Sequence, residues 1–76
     1  MIRIETGMYK FATGKLPKGY GRWAFGTRAA YETLFIKGVN PTTGLWFIYG
    51  AYAQARAAAL QKAEAEGVEG ILYVLP

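Results

Sequence analysis

The alternation of hydrophobic and polar positions along this chain changes rhythm once, near residue 52. Before that point the pattern is mostly of period two. Ile2 to Ile4 alternates as a short strand does, and Met8 to Phe11 continues it beyond a break at Gly7. The segment Thr13-Gly14-Lys15-Leu16-Pro17-Lys18-Gly19 carries two glycines, a proline and two lysines, and reads as a loop. Tyr20 to Thr27 alternates again, with Trp23 and Phe25 on one face and Tyr20 and Arg22 on the other. Tyr31 to Lys37, rich in aromatic and β-branched residues, reads as the clearest strand. The turn chemistry of Gly38 to Gly44 follows it, and Leu45 to Tyr49 returns as its hairpin partner.

From Tyr52 to Glu66 the composition turns to Ala, Gln, Lys, Arg and Glu, which are strong helix formers. Tyr52, Ala55, Ala59 and Ala63 fall on one stripe at helical spacing, and Lys62 and Glu66 stand one turn apart on the other side. Gly67 supplies the left-handed conformation with which many helices end. Ile71 to Val74 reads as a last strand. The expected class is α+β: a single antiparallel β-sheet of four or five strands packed against one α-helix, in the order β-β-β-β-α-β. A chain of 76 residues holds one core, so residues 1–76 form a single domain.

One helix covers one face of a sheet, yet aromatic residues alternate onto both. Trp23, Phe25, Leu34, Ile36, Trp46 and Ile48 form a consistent helix-side set. The opposite face then carries Tyr20, Arg22, Tyr31, Thr33, Phe35, Lys37, Leu45, Phe47 and Tyr49, too apolar a surface to be left in water. Three alternatives follow for it: a nucleic acid whose bases stack on the rings while the cations follow its phosphates, a second copy of the chain, or cover from within, by strand twist or by the 8–19 segment.

Composition narrows the chemistry. With no cysteine and no histidine, thiol chemistry and the zinc sites built on those residues are excluded. The acids are Glu5, Glu32, Glu64, Glu66 and Glu69, with no aspartate, so general acid–base catalysis finds little to work with and we expect a module that is not an enzyme and needs no cofactor. The net charge of +4 is uneven: residues 1–40 sum to +5 and residues 41–76 to −1. A positive field on the amino-terminal half favours nucleic acid or an acidic protein surface. No apolar run approaches a membrane span and the first residues lack a signal-peptide pattern, so a cytoplasmic location is expected, that of the host cell if the source is viral.

Lys18-Gly19-Tyr20-Gly21-Arg22-Trp23-Ala24-Phe25 resembles the RNA-recognition-motif signature of a basic residue, glycine, an aromatic, glycine and alternating aromatics. It departs from it at Arg22 and Trp23, and no helix is predicted before residue 18, where that family has one. Over residues 20–66, three strands followed by an alanine-rich helix resemble the sheet-on-helix DNA-binding domains of plant ethylene-response factors and of some phage integrase amino-terminal domains. Gly21-Arg22-Trp23 is similar to the Gly-basic-Trp of their strands. Gly50, Tyr52, Ala55, Ala58 and Ala59 are similar to their strand-to-helix joint. That resemblance implies a sheet laid in the major groove, with Arg22, Trp23, Lys37 and Trp46 as contacts. The chain lacks the dense arginine pattern of those families and has an extra strand at 71–75.

The sequence therefore points to a small binding module, phage- or mobile-element-like, that engages nucleic acid through a basic aromatic sheet face. The alternative is a protein–protein module, such as an inhibitor of a host enzyme or defence complex. The candidate residues are Lys15, Lys18, Tyr20, Arg22, Tyr31, Phe35, Lys37, Phe47 and Tyr49. A homodimer remains open, and no membrane partner is expected.

Overall fold

The computed structural model describes residues Met1–Pro76. Its elements run β1 (Ile2–Glu5), α1 (Gly7–Thr13), β2 (Tyr20–Gly26), α2 (Arg28–Tyr31) with a π-helical turn (Glu32–Ile36) continuing it, β3 (Leu45–Ala51), α3 (Tyr52–Ala65) and β4 (Gly70–Leu75). The α+β class holds. The four strands form one sheet in the order β1-β4-β2-β3, in which β1 is parallel to β4 while β2 is antiparallel to both β3 and β4. The sheet is thus mixed, and the expected all-antiparallel arrangement is corrected. Two geometric requirements produce the mixture. β3 and β4 run the same way on either side of β2, a connection that needs a crossover helix, and α3 supplies it. The last strand then enters the middle of the sheet and gives β1 a parallel neighbour.

There are three helices where the sequence predicts one. Residues 31–37, read as the clearest strand, belong instead to the helical run that starts at Arg28, and Lys37 closes it with its N–H on the Glu32 carbonyl at 3.0 Å. Thr27 starts that run: its side-chain oxygen accepts from the Ala30 N–H at 3.1 Å, and Arg28 and Glu32 pair one turn apart at 3.6 Å. Residues 31–37, the second of the three strands in the resemblance over 20–66, are therefore helical, and β2 is the partner of β3. Met8 to Phe11, read as a strand, lies in α1. Glu5 accepts from the Gly7 N–H at 3.0 Å at its start, and Gly14, at φ 77°, donates to the Lys10 carbonyl at 2.8 Å at its end. α1 also puts a helix before residue 18, where none was predicted.

The 52–66 helix and its stripe are present as expected. Ala55, Ala59 and Ala63 are fully buried, and their small side chains bring α3 close to Trp23, Phe25, Leu72 and Val74 of the sheet. The rings of Tyr9, Trp23, Tyr52 and Phe25 form one chain of contacts, with centroids 5.6, 5.0 and 6.2 Å apart in succession. Burial against these rings raises the pKa of the Tyr52 hydroxyl, partly offset by Arg56. The folded state thus favours the neutral phenol, a contribution present below the ordinary tyrosine pKa of 10.0 and lost as pH rises through the elevated value. Lys62 and Glu66 form no ion pair; the single one is Arg28 with Glu32. Gly67 ends α3 at φ 78°. No helix is long and apolar enough to cross a membrane.

Gly44 tests the joint between α2 and β3. It sits at φ 79°, and a Cβ there would lie 2.7 Å from the Thr27 hydroxyl that caps α2. Gly44→Ala therefore combines backbone strain with loss of the cap, and is expected to cost about 1–3 kcal/mol in urea unfolding. An unchanged midpoint would show that the Thr27 cap contributes nothing.

Candidate nucleic-acid interface

The face of the sheet away from α3 is partly covered, and by an element the sequence reading did not foresee. α2 packs on β4 and β2, burying Ala30 and Leu75, and α1, from the 8–19 segment named as one of three alternatives for this face, packs on β4 as well. Tyr73 and Glu32 flank Arg28 there and raise its pKa, Tyr73 contributing most. What stays open is the other end of the face, on β2 and β3.

There the register places Arg22 opposite Tyr49 and Ala24 opposite Phe47. Tyr20 meets Tyr49 edge-on, centroids 5.3 Å apart. Tyr20, Tyr49 and Phe47 remain 74%, 70% and 65% exposed, since Ala24 is too small to cover Phe47 and none of the three rings is covered by a helix. Phe47 and Tyr49 are two residues apart on one strand, so their attachment points stand ~7 Å apart. That is about twice the 3.4 Å rise per nucleotide of a stacked strand, a spacing suited to splayed bases.

Lys15, Lys18, Tyr20 and Arg22 line one open groove of about 270 Å³ with Tyr9, Leu16, Gly21 and Trp23. The loop before β2 brings its lysines back against the strand, so cations far apart in the pattern of alternation share a wall. No acid lines this groove. Glu64 and Glu69 flank a groove with Met1 and Ile2 at the carboxyl end of α3, whereas the amino end of α3 starts beside Gly19, whose carbonyl accepts from the Tyr52 N–H at 2.8 Å. Fourteen residues of helix separate the two ends by roughly 20 Å.

Of the nine candidate residues, six therefore gather at one end of the molecule: Lys15, Lys18, Tyr20, Arg22, Phe47 and Tyr49. Tyr31, Phe35 and Lys37 do not join them, because their segment is a helix and not a strand between β2 and β3. Tyr31 and Phe35 pair with each other at 5.1 Å and line a separate apolar cleft of about 400 Å³ with Met8, Phe11, Ala12 and Pro76. Leu34 and Ile36, expected in the core, lie outside it, and Ile36 is exposed. Trp23 is buried, its indole N–H on the Gly50 carbonyl at 3.0 Å, and Trp46 packs against the same core, so neither shares a face with Arg22. Phe11, 93% exposed beside that cleft, was missed by sequence reasoning. The signal for it was the αL glycine at position 14, which marks residues 7–13 as a helix with Phe11 beside Met8. Comparison of the chain with family models, curated proteins and solved structures returns no match.

Proposed function

We propose that this chain is a small non-enzymatic binding module, phage- or mobile-element-like, that engages single-stranded nucleic acid through the open end of its sheet. The observation that carries the reading is the set of three exposed rings, Tyr20, Phe47 and Tyr49, beside Arg22 on one face. Rings of this kind stack bases of any identity, and Lys15 and Lys18 at the rim stand where phosphates would pass. The separation of Glu64 and Glu69 from this end keeps its field positive.

The test is anisotropy of a labelled homopolymer strand titrated with protein across a range of salt. If Lys15, Lys18 and Arg22 each neutralise one phosphate, log affinity should fall with log salt at a slope of about −2. A duplex of the same length should bind more weakly, since its bases are not free to stack. No binding at low salt would sink the proposal. Equal affinity for duplex would remove its single-strand part.

The second reading is a protein partner, as for an inhibitor of a host enzyme or defence complex. The cleft between α1 and the π-helical turn favours it, because Phe11 and Phe35 present apolar rings to solvent there. A partner held at that cleft would be released by Phe11→Glu and would be nearly indifferent to salt.

A further inference from the structure

β3 is an edge strand, and the hydrogen bonds at its two ends determine which of its backbone groups are free. The Thr27 N–H donates to the Gly44 carbonyl at 2.9 Å, and the Tyr52 N–H donates to the Gly19 carbonyl at 2.8 Å. Both pairs continue the β2–β3 register, and in an antiparallel ladder every second pair is hydrogen-bonded. Gly44, Trp46, Ile48 and Gly50 therefore turn their hydrogen-bonding groups toward β2, and Tyr52 its N–H. Leu45, Phe47 and Tyr49 turn theirs outward, as Ala51 does its N–H, while the Ala51 carbonyl, at the N-cap of α3, accepts the first bond of that helix. None of the bonds made outside the regular elements reaches these outward groups.

The two edges of the sheet are unlike. β1 is four residues long and carries Arg3 and Glu5, features that discourage pairing. β3 is seven residues long, Leu45-Trp46-Phe47-Ile48-Tyr49-Gly50-Ala51, without a charge or a proline. We infer that the β3 edge pairs antiparallel with β3 of a second copy of this chain, about a twofold axis through Ile48.

That axis is the one that brings all four outward-facing residues of each copy together, with the Phe47–Tyr49 pairs fully bonded and the Ala51 N–H donating to the Leu45 carbonyl. It sets Leu45 against Ala51 and Phe47 against Tyr49, so each outward residue of one copy faces an outward residue of the other. The side chains match in the same register. Phe47 and Tyr49 form aromatic cross-strand pairs on the open face, and on the other face bulky Trp46 lies opposite Gly50 while Ile48 meets its twin. Charge does not oppose the contact despite the +4 of each chain, because β3 has none and the nearest cation by register, Arg22, sits on β2. Arg22 and its twin would stand three strand spacings apart, ~14 Å, beyond the ~8 Å screening length at physiological salt. The pairing also closes: the twofold consumes both β3 edges and leaves only the short, charged β1 edges outside, so a dimer forms in place of a fibre.

The inference goes beyond the nucleic-acid reading and is tested without nucleic acid, so either can fail alone. Sedimentation of the wild-type chain over a concentration series should approach twice the mass of 8.4 kDa. Hydrogen exchange by NMR should show the Phe47 and Tyr49 amides, solvent-facing in one copy, becoming protected as the dimer forms. Phe47→Pro removes an outward N–H without breaking the β2 ladder and should yield monomers. Should that variant not fold, Ala51→Pro serves in its place: Ala51 already has φ −65°, which proline adopts freely, and the change should weaken the dimer roughly tenfold. A wild-type chain that stays at 8.4 kDa at millimolar concentration overturns the inference, as does a dimer whose Phe47 and Tyr49 amides exchange unprotected.

Discussion

Trp23→Ala is expected to lower the free energy of unfolding by about 3–5 kcal/mol, measured by urea denaturation. The indole is buried between Tyr9 and Tyr52, so its removal leaves a cavity that two neighbouring rings cannot both fill. It also strips the Gly50 carbonyl of the indole N–H at the point where β3 passes into α3. A chain of this length has a total stability of about 4–11 kcal/mol, so the variant would sit near the edge of folding. Trp46, only partly buried at the margin of the same core, should cost roughly half as much when truncated. Equal losses at the two tryptophans would mean that Trp46 is held as deeply in the core as Trp23.

The second large effect concerns binding. The double variant Lys18→Glu/Arg22→Glu reverses two cations that share one groove wall, and both side chains are exposed, so the fold should survive with an unchanged melting temperature. Affinity for a single strand should fall by about a hundredfold or more at low salt, and the salt slope should become shallower by about 1.4 as two counterions fewer are released. Tyr49→Ala should weaken binding by about 1–3 kcal/mol with the slope unchanged, since it removes stacking and no charge. If the charge reversal leaves affinity intact, the groove is not where phosphates pass. Lys37→Glu, across the molecule on the π-helical turn, is the control that should have little effect.

How far the chain could be read without its fold depends on the length of each element. The fourteen-residue α3 repeats its alanine stripe often enough for the helical period to stand out, and both its glycine stop and the strand beyond it lie where the pattern places them. The strands β2 and β3 were legible because alternation on a half-buried sheet is their only requirement. α1 and the run from Arg28 to Ile36 were not, because each spans few turns and mixes aromatic and β-branched residues that favour strands when counted one by one. The cues that oppose that count are single residues, Thr27 as a cap and Gly14 as a stop, and a pattern of periods gives them little weight.

The interface divides along the same line. Local sequence was enough to put Tyr20 and Arg22 on one side of β2, and Phe47 and Tyr49 on one side of β3, since side-chain direction on a strand follows from parity alone. Which of the two faces α3 covers, which strand β3 takes as its partner, and whether Tyr31, Phe35 and Lys37 belong to the site are long-range matters. They were decided when α3 crossed over β2 to insert β4 into the middle of the sheet, and when α2 folded over Leu75 at one end and left the other end bare. Such choices rest on contacts between residues far apart in the chain, each weak until all are made together, and no short window of sequence contains them.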